Sequence, residues 1–249
     1  MSQPTTLNRR ASLPLVLSWS APDRPLPLRR VRMPRGRRRA AEVEAPYWLS
    51  TGPRDQPFDF CGHVRRLCGD IVRHCPELQH IDVSRLLFAM TQARSGLLHG
   101  LQARLTPLRC ARGALLRRRG RVTYRVQRYF VDGREMLYLI TFYLPRFLDG
   151  SFDEKFITLF HELYHIGPAF DGDLRRLGGR GVLHSDSKKA YDVHMAHLAR
   201  AYLSNGAARG LHDFLRLDFA QLRHRHGSVV GVVVPRPKLV PVPGEADDD

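Results

Sequence analysis

Lysine is nearly missing from this chain. Of its 249 residues only Lys155, Lys188, Lys189 and Lys238 are lysines, against 40 basic residues in all, so arginine carries the formal charge of +16. Glutamate is scarce too, with seven residues, and after Glu162 the only one is Glu245 near the end. No cysteine follows Cys110. No apolar run approaches the ~20 residues that span a bilayer, and the long run from Met136 to Leu144 suits a strand. The stretch Leu13-Pro14-Leu15-Val16-Leu17 is too short and too broken by proline for the apolar core of a signal peptide. These absences point to a cytoplasmic protein without a membrane partner.

The four cysteines are Cys61, Cys68, Cys75 and Cys110. The first three recur every seven residues. On a helix, neighbours in that stripe sit about 10 Å apart, beyond the ~7 Å that a disulfide bridges. The spacing is also wider than zinc-binding pairs use. Buried thiols on the inner face of a helix, in a reducing compartment, are the reading.

The arginine excess suits a polyanion such as nucleic acid, or a solvated surface. Residues 1–45 hold ten arginines, including Arg35 and Arg37-Arg38-Arg39, with many prolines and no hydrophobic period. They read as a disordered basic arm, either solubilising or able to touch nucleic acid. Residues 46–240 read as one catalytic domain and 241–249 as an acidic disordered tail.

Within the domain, Phe60, Cys61, Val64, Cys68, Ile71, Val72 and Cys75 fall at helical spacing, closed by Pro76. Asp82-Val83-Ser84 opens a short helix through Leu86, Leu87 and Met90. Strands follow at His99–Leu105 and Arg121–Phe130. Asp132-Gly133 signals a hairpin turn leading into Met136–Leu144. A helix beginning near Asp153 or Glu154 runs to His165 or Ile166 and stops at Gly167-Pro168. Further helices span about Ser187–Leu203 and Leu211–His224, and a last strand covers Ser228–Val234.

The chemistry lies on the helix before Gly167. His161-Glu162-Leu163-Tyr164-His165 places two imidazoles one turn apart on one face, about 6 Å along the axis. They can fill two positions of a tetrahedral zinc. Glu162, about 100° round the helix, cannot easily reach the metal. It can reach a water held in the open position, which metal-assisted hydrolysis requires. With no glutamate nearby downstream and no later cysteine, the third protein ligand should be His or Asp. His184, just before a helix, is the leading choice; Asp171, His194 and His197 remain alternatives. Asp171, Asp173, Ser185 or Asp186 could accept the second N–H of a ligating histidine. Tyr191 or Arg180 could stabilise an oxyanion.

Phe160 to Ile166, Phe170-Asp171-Gly172-Asp173-Leu174-Arg175-Arg176 and Leu183-His184-Ser185 together resemble metallopeptidase families of bacteria and phages, distantly related to SprT-like zincins. The resemblance covers roughly residues 50–240. It implies an α+β zincin fold, with a small antiparallel sheet packed on the metal-bearing helix and further helices flanking it. It implies a zinc set of His161, His165 and His184. SprT-like proteins follow their third histidine with glycine and a nearby aromatic, where this chain has Ser185 and then Tyr191. It also has no C-terminal cysteines for a zinc ribbon. The expected activity is peptide hydrolysis by Glu162-assisted attack of a zinc-bound water, on a protein or peptide lying along the strand near Leu137–Phe142. The alternative is a basic nucleic-acid-associated binding protein with a structural or vestigial metal site.

Overall fold

A computed structural model of the chain describes residues 13–33, 44–94, 99–176 and 188–242. The elements in order are β1 (Val16–Trp19), β2 (Leu28–Arg30), β3 (Phe58–Asp59), α1 (Phe60–His74), β4 (Leu86–Gln92), β5 (Ala103–Pro107), β6 (Leu116–Arg119), β7 (Val122–Val126), β8 (Arg128–Val131), β9 (Arg134–Met136), β10 (Tyr138–Leu144), α2 (Phe152–Tyr164), α3 (Lys188–Ser204), α4 (Arg209–His212), α5 (Phe219–His226), β11 (Val229–Val232) and β12 (Leu239–Pro241). The architecture is mixed α+β. No helix among the described residues is long and apolar enough to cross a membrane.

α1 begins where Asp59 accepts a hydrogen bond from Gly62 N, and ends at Cys75 before Pro76. Its inner stripe is the expected one: Cys61, Val64, Cys68 and Ile71 are buried, and Cys75 is buried just past the helix end. Burial pushes the Cys61 thiol up to about 12, against a partial offset from the Val232 N–H, and raises Cys68 as well. These are inert packing groups.

The central sheet has the order β4-β10-β5. β10 runs parallel to β4 and antiparallel to β5, so the sheet is mixed where an antiparallel one was expected. The short helix anticipated from Asp82 is a single 3-10 turn at Val83–Arg85, followed at once by strand β4. The apolar run Leu86–Met90 has no polar break, because β4 is buried along both faces. The hairpin turn at Asp132-Gly133 is present, both residues having positive φ, but its returning strand is only β9. β10 leaves that hairpin and joins β4 and β5. The single long helix expected at Leu211–His224 is broken into α4, a 3-10 turn and α5, because Asp218 caps a new start by accepting from Gln221 N.

Part of the segment expected to be a disordered arm is structured. β1 pairs in parallel with β8, and β2 pairs antiparallel with β11. Trp19 is buried edge-on against Tyr129, with ring centroids 5.5 Å apart. These strands borrow their partners from residues more than a hundred positions away, so no local period announces them.

α2 lies against β5, and α1 packs Phe60 edge-on against Phe142 of β10. Ser151 and Glu154 form a reciprocal capping box at the start of α2. Lys155 is buried on this helix, and its Nζ donates to the carbonyls of Leu215 (2.9 Å) and Leu217 (2.8 Å). Burial lowers its pKa to about 8, partly offset by Asp149, Asp218 and Glu154.

The unfolded chain therefore holds more protons than the native one between pH 8 and the ordinary lysine value. Stability contributed through this group rises with pH across that window. Comparing Lys155→Met with the parent by denaturant unfolding, the parent should gain relative stability from pH 8 to 10, at a slope of at most ~1.4 kcal/mol per pH unit.

Candidate metal centre

The capping box sets the start of α2 and hence the angular position of the residues three turns later. His161 and His165 project from its last turn, as their spacing demands. Their Nε2 atoms lie 2.9 Å apart, with ring centroids at 4.5 Å. Two nitrogens bound to one tetrahedral zinc lie about 3.3 Å apart. Two neutral imidazoles meet at this distance only if one donates its N–H to the other, or if both lone pairs face a shared cation.

Glu162 is buried, 7% exposed, between α2 and the sheet. Its Oε2 accepts a 2.5 Å hydrogen bond from Leu105 N on β5. Burial pushes its pKa up to about 7, while the Leu105 N–H and the charge of Arg104 pull the other way. A carboxyl that titrates near neutrality is suited to moving a proton.

A cleft of about 920 Å³ runs between β5 and α2, lined by Gln102, Ala103, Leu105, His161, Glu162 and His165 among others. β5 is the edge strand and β10 is interior. The substrate strand anticipated along Leu137–Phe142 is thus displaced: that stretch is paired on both sides and has no free edge. Leu105 N points away from β10 to meet Glu162, so the outward backbone groups of β5 are those of Ala103 and Leu105.

α3 supplies the outer support. Asp192 Oδ1 stands 3.8 Å from His161 Nδ1 and also lines the cleft. Its sequence signal was slight, a lone aspartate on a helix distant in sequence. It faces the His161 Nδ1 at ion-pair distance, while Asp171 and Asp173, which sequence reasoning offered for that side, accept from backbone N–H groups instead. Tyr191 packs edge-on to His161 (4.9 Å) and stacks on His165 (5.9 Å), and its hydroxyl donates to the His161 carbonyl at 3.4 Å. It braces the imidazoles and does not line the cleft, so the oxyanion role expected of it is not what its placement offers.

His184, Ser185, Asp186 and Arg180 lie outside the described residues. Asp171 turns its Oδ1 to Asp173 N, and Asp173 accepts from Arg112 N and Leu174 N, so both stabilise the 170–176 loop, whose Leu174 lines the cleft while neither aspartate does. His194 Nε2 sits 3.1 Å from Glu77 and its ring packs on Tyr164. His197 is exposed. Among the described residues no group of three or more His, Cys, Asp or Glu side chains surrounds one metal position. His161 and His165 could fill two positions of a zinc site, and no third ligand stands beside them among the described residues. No family model, curated protein or solved structure matches the chain.

The chain leaves α2 through a tight return. Gly167 N donates to Asp173 O, Arg175 N donates to His165 O, and Ile166 bridges Leu174. A Cβ at Gly167 would stand 2.8 Å from the Asp173 carbonyl oxygen. Gly167→Ala must therefore shift the return that anchors His165, and thermal unfolding should show a loss of roughly 1–3 kcal/mol.

The raised Glu162 pKa has its own sign. In metal-free protein the native state holds more protons than the unfolded one between the ordinary glutamate value and about 7, so stability falls as pH rises through that window. Glu162→Gln should stabilise the metal-free protein by on the order of 1–3 kcal/mol at pH 8 and by much less at pH 4.5. Urea unfolding at the two pH values measures this.

Proposed function

We propose that the protein is a zinc-dependent peptidase whose centre is His161, Glu162 and His165, with His184 as third ligand. The observation that carries this reading is the convergence of the two Nε2 atoms at 2.9 Å beside a buried carboxyl, on the wall of a cleft whose other wall is a sheet edge. A surface helix with stray histidines has no reason to combine these features.

Zinc, when bound, would polarise the substrate carbonyl and acidify a water beside it. His161 and His165 would hold the metal through Nε2, with Asp192 setting the orientation of the His161 ring. Glu162 would accept the water's proton and hand it to the leaving amine. Its hydrogen bond to Leu105 N keeps the carboxyl aimed along the cleft. An extended peptide would pair with the outward groups of Ala103 and with the Leu105 carbonyl on β5, the Leu105 N–H being taken by Glu162. That pairing would carry its scissile carbonyl past α2.

Elemental mass spectrometry on the parent, His161→Ala and His184→Ala tests the centre. About one zinc per chain is expected in the parent and little in either variant. Zinc retained in His184→Ala would move the third ligand elsewhere. A parent that binds no metal after reconstitution would overturn the proposal. On the loaded enzyme, Glu162→Gln should cut peptide hydrolysis by roughly 10²–10⁴-fold while leaving zinc bound. Asp192→Asn should weaken zinc binding by roughly tenfold or more, read by competition with a chelating dye.

A further inference from the structure

The face of the central sheet opposite the cleft is partly open. Strand alternation places Thr91, Thr141, Tyr143, Arg104 and Thr106 on this face. Val233, Val234 and Arg236, beyond β11, complete a pocket there of about 250 Å³. Its polar lining is two guanidinium groups and four hydroxyls, and no carboxylate lines it. None of those six side chains makes a hydrogen bond or ion pair with another described residue. No Asp or Glu occurs between Asp82 and Asp132, the span that holds β4 and β5.

We propose that this pocket binds a phosphate monoester. Guanidinium groups present paired N–H donors that match phosphate oxygens, and hydroxyls add donors with free rotation. Hydroxyls also accept, so they suit a phosphate that retains a proton. Leu139, Val233 and Val234 supply an apolar wall for the ester carbon. A free small-molecule ester and a phosphorylated side chain both present this group. Arg104 also borders the cleft, one residue from the Leu105 N–H that holds Glu162. Arg104 is the one lining residue shared with the cleft, and the proposal does not depend on the peptidase reading.

Calorimetric titration with phenyl phosphate and with a phosphoserine peptide, at constant ionic strength, tests it. The parent should bind at least one of them saturably, and which one binds tells the free ester from the phosphorylated chain. Arg104→Gln/Arg236→Gln should weaken binding by roughly tenfold to a hundredfold, and Thr141→Val by a smaller factor. Arg117→Gln/Arg118→Gln, which removes the same charge from β6, and His161→Ala should leave it unchanged. Absence of saturable binding in the parent would overturn the proposal. Equal weakening in the β6 variant would reduce the effect to overall charge and overturn it too. Loss in His161→Ala with retention in Arg104→Gln/Arg236→Gln would move the ligand to the cleft, with the same consequence.

Discussion

The hydrogen bond from Leu105 N to Glu162 joins the two walls of the cleft. A buried carboxyl is costly to ionise unless something donates to it. Here the donor is the backbone of an edge strand, a group that edge strands leave unpaired. The bond answers both needs at once and sets the distance between β5 and α2. With that distance set, the last turn of α2 can only present His161 and His165 to the open cleft. α3 then closes behind them with Tyr191 and Asp192.

Stability and the proposed role of Glu162 oppose each other at this point. The burial that raises the Glu162 pKa towards neutrality also makes its charged form expensive above it. The surrounding frame supplies the compensation: the capping box at Ser151, the carbonyls that hold Lys155, and the tight return through Gly167. Each acts on α2, at its start, its middle and its end. The helix that bears His161, Glu162 and His165 is thus held at both ends and in its middle, as the proposed site would require.

The long-range topology serves the same end. β10 is fully paired and buried, so it cannot receive a ligand strand, and it places β5 at the rim. The sheet is therefore open on two sides. One meets α2 and the cleft. The other carries the hydroxyl- and arginine-lined pocket beneath Val233 and Val234.

Local signals read well wherever an element answers to its own residues. The stripe of Cys61, Val64, Cys68 and Ile71 announced α1, Asp132-Gly133 announced a turn, and the four-residue spacing of His161 and His165 put them on one face. Signals failed where pairing partners are remote. β1 and β2 sit in an arginine- and proline-rich stretch with no period, because their order comes from β8 and β11. β4 resembled a helix because a strand buried on both faces shows no alternation. Asp192 escaped notice because only the packing of α3 on α2 brings it to His161. The sequence by itself determined which groups could take part in the chemistry, since helical periodicity is local geometry. Only the tertiary structure decided which of them meet, because edge pairing and burial depend on contacts between distant segments.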